Sequence, residues 1–174
     1  VRNWFERKFG LPAFVENDQN CAAMAEATVG AGRGFSRVFY VTVGTGIGGG
    51  LVMDGKLYNG RYGAAEIGHT WVGDRRLETV ASGLAIERGV STVAKSGRYL
   101  GVALANAIAL INPDIVIVGG GVSLAGERFF RPLRATVRRR VFPVFRNNYQ
   151  IVPPALGENV VVVGAALLAA RGGR

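Results

Sequence analysis

Apolar and polar positions along this chain of 174 residues switch between two periods. Val38-Phe39-Tyr40-Val41-Thr42-Val43 is a β-branched and aromatic run of strand length, which predicts a strand over 38–43. Leu51-Val52-Met53 and Lys56-Leu57-Tyr58 flank Asp54-Gly55, a two-residue hairpin signal, so antiparallel strands are expected over 49–53 and 56–58. Further on, Leu100, Leu104, Ala107, Ile108 and Ile111 recur at helical spacing, and Asn112-Pro113 stops that helix before the wholly apolar Ile115-Val116-Ile117-Val118. The same reasoning gives a short strand after Leu11, helices over 19–29, 83–94, 98–111, 123–140 and 159–170, and strands over 115–118 and 149–152. Strands alternating with helices in this way predict a layered α/β domain.

Composition narrows the class. With 49% hydrophobic residues the chain is expected to form a single globular domain, 1–174, with a real core. No apolar stretch reaches the roughly 18 residues of a spanning helix, and Val1 to Gly10 is charged and aromatic rather than leader-like, so no membrane contact is expected. A single cysteine, Cys21, excludes an intrachain disulfide and points to a cytoplasmic protein in which this thiol packs as a small hydrophobe.

Charge adds a localised feature. The formal net charge is +9, and between Glu127 and Arg146 seven arginines (128, 131, 134, 138, 139, 140 and 146) face one acid. Phe129, Phe130, Leu133 and Val137 give the same segment an apolar face at helical spacing. The arginines then form a solvated face, a contact for nucleic acid, or a contact for the acidic surface of another lobe or subunit.

Candidate chemistry gathers in four places. In Val43-Gly44-Thr45-Gly46-Ile47-Gly48-Gly49-Gly50-Leu51 the glycines follow a strand, where bare backbone N–H groups can face an anion. Asn17 and Asp18 stand where the first segment hands over to a helix; Asp18 is a candidate general base, and capping of the helix is the plainer alternative. Glu66 and His69, three apart, can present an acceptor and a switchable donor to sugar hydroxyls, or His69 can be structural. Gly119-Gly120-Gly121 open the helix after the buried strand, as an anion site or as a tight turn.

These segments, together with Leu77-Glu78-Thr79-Val80-Ala81-Ser82-Gly83 and Asn112-Pro113-Asp114, resemble the ROK family of repressors, open reading frames and kinases, in the family's order and over most of the chain. The resemblance implies a ribonuclease-H-like, actin-like ATPase fold, here the C-terminal lobe, with a mixed sheet and flanking helices. It implies ATP with Mg2+ as phosphate donor and a hexose, glucose by family precedent, as acceptor. Asp18 matches the catalytic base; Asn17, Glu66, His69 and Glu78 match sugar contacts; Gly44, Thr45 and Gly46 match the second phosphate loop; Gly119, Gly120 and Gly121 match glycines near the adenosine. A homo-oligomer is also implied.

The departures carry expectations too. The family's Asp-x-Gly-Gly-Thr loop is not in this sequence, so the chain alone is expected to be a weak or inactive kinase. Thr70 to Arg76 replaces the family's cysteine-rich zinc loop, so no zinc is expected. Ala64-Ala65-Glu66 stands where a glycine usually precedes the Glu-Ile-Gly-His segment, and the region 85–97 is short. The alternative reading is the sugar-binding effector lobe of a repressor, which would touch nucleic acid only through an upstream helix-turn-helix.

Overall fold

The computed structural model describes residues 1–61 and 63–173. In chain order the elements are α1 (Arg2–Phe9), α2 (Asp18–Val29), β1 (Arg37–Val43), β2 (Ile47–Met53), β3 (Lys56–Leu57), β4 (Trp71–Val72), β5 (Arg75–Arg76), α3 (Leu77–Ala81), α4 (Gly83–Glu87), α5 (Val93–Ile111), β6 (Ile115–Gly119), α6 (Glu127–Arg140), β7 (Gln150–Val152) and α7 (Val160–Ala170). Short 3-10 turns at Ile67–His69 and Gly121–Ala125 frame the site.

Five strands form one mixed sheet in the order β3-β2-β1-β6-β7. β1 pairs antiparallel with β2 and parallel with β6, and β7 extends the parallel half. Alternate residues of β1 and β6 serve two cores. Val38, Tyr40, Ile115 and Ile117 pack with the alanines of α2 and with Val160 of α7. Phe39, Val41, Val43, Val116 and Val118 pack with Leu77, Leu100, Leu104, Phe129 and Leu133 of α3, α5 and α6. A sheet covered on both faces requires apolar residues at every central position, which is why its strands read as continuous apolar runs. No helix among the described residues is long and apolar enough to cross a membrane.

Several expected boundaries move. The first ten residues hold a helix, α1, that the sequence pattern did not signal, because none of its residues is buried. No strand forms between Leu11 and Asn17. The helix expected over 83–94 stops at Glu87, and α5 runs unbroken from Val93 to Ile111, N-capped by Thr92 and closed by Asn112 with φ 50. The helix expected from 123 begins instead at Glu127, after the 3-10 turn, so Gly119–Gly121 do not form its N-terminus. β2 starts at Ile47, two residues before the expected 49, so Gly48 joins Gly49 and Gly50 inside the strand.

Candidate functional site

The turn Gly44-Thr45-Gly46 joins β1 to β2, closed by a 2.9 Å hydrogen bond from the Gly44 N–H to the Gly46 carbonyl. Thr45 is exposed at its tip. Two other segments meet the turn. The Gly83 N–H donates to the Gly44 carbonyl at 2.6 Å, and Gly120, with φ 85, lies so close to the Val43 backbone that a Cβ there would stand 2.6 Å from its carbonyl oxygen. Gly119 is paired with Thr42 at the end of the parallel strands. Gly44–Gly46 and Gly119–Gly121 therefore converge at the carboxyl edge of β1 and β6, the edge where open α/β sheets bind ligands.

The three glycines of β2 have a packing role. A Cβ at Gly48 would stand 2.9 Å from the Gln19 side chain and one at Gly50 2.7 Å from Ala23, while one at Gly49 would stand 2.5 Å from the Ala65 carbonyl oxygen on the opposite face. Glycine here lets the start of α2 and the segment before Glu66 both press onto the strand. That close approach brings Asn17 and Glu66 to one concavity.

Asn17 is the N-cap of α2, its Oδ1 accepting from the Gln19 N–H at 2.8 Å. The capping alternative is thus realised by Asn17. Asp18 is the first helical residue, exposed, and its Oδ1 also accepts from the Gln19 N–H at 3.1 Å. Glu16, Asn17, Asn20, Gly49, Asn59, Arg61, Gly63, Ala64 and Glu66 line a polar recess of 280 Å³. Within it Asn20 Nδ2 donates to Glu16 Oε1 at 2.8 Å and to Asn59 Oδ1 at 3.0 Å, and Asn59 Nδ2 donates to Glu16 Oε2 at 3.0 Å. Burial raises the Glu16 pKa, but the hydrogen bonds from Asn20, the Asn17 N–H and Asn59 outweigh it and hold the carboxyl below its ordinary value. On the next turn of α2, burial pushes the Cys21 thiol up, helped by the charges of Glu16 and Asp18, so this cysteine is an inert packing residue.

The remaining candidates sit differently. Glu78, half-buried on α3, accepts from the Ile47 N–H at 2.8 Å and shares a second recess, of 170 Å³, with Thr45, Thr79 and Ser82. His69 is the exposed last residue of its 3-10 turn and lines neither recess. The residue before Glu66, Ala65, is held at φ 68, and its carbonyl accepts from the Ile67 N–H at 2.7 Å. Of the sugar-contact candidates, then, Asn17 and Glu66 share one recess, and Glu78 stands with the glycine turn. Glu16, Asn20 and Asn59 were not singled out from sequence. The four-residue spacing of Glu16 and Asn20 was the available signal; Asn59 offered none. Among the described residues no three His, Cys, Asp or Glu side chains converge as a metal site.

Comparison with known proteins places this geometry. A model of the ROK family matches residues 1–92 and 83–172. The chain is 35% identical to a glucokinase of Thermotoga maritima over 92% of its own length and 66% of that protein. It is 27% identical to a xylose repressor of Bacillus spizizenii over 94% of its length and 52% of that protein. It thus spans about two thirds of one relative (66%) and about half of the other (52%). Among solved structures, the ROK hexokinase of Thermus thermophilus superposes with a TM-score of 0.89 at 30% identity, covering 98% of this chain and 70% of that one. A ROK family glucokinase of Streptomyces griseus, solved with glucose and AMPPNP, gives 0.83 at 32% identity, covering 98% and 72%. The mixed sheet and its flanking helices are those of an actin-like ATPase fold.

Proposed function

The chain belongs to the ROK family, and from that premise we propose that it forms the sugar- and phosphate-binding lobe of an ATP-dependent hexose kinase. The observation that carries the proposal is the joint placement of Asn17-Asp18 and the glycine turn at the start of β2: Gly48, which Gln19 packs against, is two residues from Gly46. A glucokinase relative solved with glucose and AMPPNP supports both ligands.

In this reaction the hexose hydroxyl oxygen forms a bond to the γ-phosphorus, the bond to the β–γ bridging oxygen breaks, and ADP leaves. The hydroxyl proton passes to the Asp18 carboxylate. Asn17 and Glu66 hold the neighbouring hydroxyls in the polar recess, which the Glu16–Asn20–Asn59 network keeps in shape. The family resemblance assigns His69 and Glu78 to the sugar as well, from outside that recess: His69 from the 3-10 turn and Glu78 from beside the glycine turn. The N–H groups of Thr45 and Gly46, in the turn that the Gly44 N–H closes, face the transferring phosphate, and Gly119–Gly121 border the adenosine. Phosphoryl transfer asks mainly for positioning and charge stabilisation, which such a frame supplies. Magnesium carries part of the phosphate charge when bound; because no three ligating side chains converge among the described residues, this chain's side chains do not by themselves form a magnesium cage.

The test is formation of sugar phosphate from magnesium-ATP and a panel of hexoses, beside binding of the same hexoses measured calorimetrically. Transfer that requires Asp18 supports the kinase. Hexose binding by the full-length protein without transfer would overturn it in favour of an effector lobe.

A further inference from the structure

Helices α5 and α6 leave between them a groove on the face of the molecule formed by their outer surfaces. Its first part, 560 Å³, is lined by Ala94, Arg98, Glu127, Arg128, Arg131, Pro132, Ala135, Thr136 and Arg139. An adjoining part of 420 Å³ shares Arg98, Thr136 and Arg139 and adds Arg140, with Tyr99 and Val102. Five exposed arginines thus line one continuous channel. The only acid in the lining, Glu127, is taken by Arg134 at 2.8 Å. Among the described residues, Arg98, Arg128, Arg131, Arg139 and Arg140 make no ion pair. Arg134 is occupied as well, donating to the Ile151 carbonyl at 3.1 Å and lying over the Phe130 ring.

Like charges three or four residues apart destabilise a helix, so an uncompensated arginine row is held against its own repulsion. Arg128, Arg131 and Arg139 fall, at 3.6 residues per turn, within about 80° of the helix circumference, and they span about 16 Å of its axis. One strand of a nucleic acid duplex advances about 3.4 Å per phosphate, so about five phosphates face that length. The floor of the groove is Ala94, Pro132 and Ala135. In this first part, where Arg128 and Arg131 stand, these side chains are too small to anchor a protein partner and cannot stack on bases, and the one aromatic residue lining the adjoining part is the half-buried Tyr99.

From this arrangement we infer that the α5–α6 groove binds the phosphate backbone of a nucleic acid duplex, without reading its sequence. The site is separate from the sugar recess and from the glycine turn, and no helix-turn-helix is required. Guanidinium groups grip phosphate oxygens in paired hydrogen bonds, and the counterions they displace make the affinity steeply dependent on salt.

The experiment is fluorescence anisotropy of a labelled mixed-sequence duplex of about 20 base pairs over about 50–200 mM salt, with a second duplex of unrelated sequence. Four to five contacts predict a slope of log affinity against log salt near −4, with both duplexes bound within a factor of about three. R128A/R131A/R139A should lower the affinity at least about tenfold and flatten the slope by about 2 to 3. Because these side chains are exposed, the variant should keep the circular dichroism spectrum and the hexose affinity of the parent. R7A/K8A, which removes two basic residues of α1, should bind duplex as the parent does. The inference is overturned by any of four results: no duplex binding at low salt; an equal loss in R7A/K8A; strong sequence preference; or binding of inorganic polyphosphate or an acidic protein that duplex does not displace.

Discussion

Glu78 Oε2 accepts a 2.8 Å hydrogen bond from the Ile47 backbone N–H, tying α3 to the first residue after the glycine turn. The carboxylate proposed above as a sugar contact is thereby also a brace for the glycine turn. The two roles separate by substitution. E78Q keeps an oxygen for the Ile47 N–H, so its unfolding free energy should stay within about 0.5 kcal/mol of the parent while hexose affinity falls. E78A removes the acceptor and should cost about 1–2 kcal/mol in addition. Urea unfolding and calorimetric hexose titration of both variants check this; equal destabilisation by the two would deny the brace.

Ala65 occupies the left-handed region at φ 68, immediately before Glu66. A side chain in that region pays a steric cost that glycine avoids. A65G should therefore stabilise the fold by up to about 1 kcal/mol, seen as a higher urea midpoint at unchanged slope. The segment is also pressed against Gly49, so the relief should come without any shift of Glu66. A lower midpoint would mean that the backbone is not strained there.

Glu26 is fully buried, and its carboxyl oxygens accept from the N–H groups of Ala31 at 2.7 Å, Ala155 at 3.0 Å and Leu156 at 2.9 Å. It clamps the loop after α2 to the loop before α7. In E26Q one oxygen becomes an amide that faces backbone donors, so about 1–3 kcal/mol of stability should be lost. Hydrogen exchange should quicken first at Ala155 and Leu156. Uniform protection would show that the clamp is dispensable.

Glu16 gives a pH signature. Its folded pKa is below the ordinary 4.5, so it contributes stability that is fully present above 4.5 and is lost as pH falls below 4.5 through the depressed folded value. The parent should therefore lose stability on acidification below pH 4.5 more steeply than E16Q. Chemical unfolding across that window tests the sign. An equally steep fall in E16Q would place the acid sensitivity elsewhere, for example at Asp114, whose carboxyl is held low chiefly by the Arg37 hydrogen bond.

What the sequence disclosed, and what it hid, follows from where each residue spends its contacts. The strands were legible because β1 and β6 are buried on both faces and must be apolar throughout. Asn112 closing α5 was legible because its left-handed conformation is local. The start of α5 was not: Ser96 and Gly97 look like a break, yet both are buried, and a Cβ at Gly97 would stand 2.5 Å from the Phe129 carbonyl oxygen of α6. A helix crossing, invisible in one-dimensional spacing, chose that glycine. The site divides in the same way. The Asn17-Asp18 pair announced a cap, whereas Asn59 stands outside any helix or strand and reaches Asn20 from 39 positions away.

Asp18 carries the sharpest functional prediction. Its carboxylate is exposed at the first residue of α2, while the cap is supplied by Asn17, so D18N should leave the helix and the fold nearly unchanged. Asparagine keeps the size and the hydrogen-bonding oxygen but cannot take the hydroxyl proton. If Asp18 is the base, kcat in the full-length protein should fall about 10²–10⁴-fold, with KM for hexose altered far less, because positioning by Asn17, Glu66 and the glycine turn survives. A residue that merely shaped the recess would instead raise KM at nearly constant kcat. That split, measured in steady-state assays alongside direct hexose titration of the variant, separates proton transfer from sugar binding at this position.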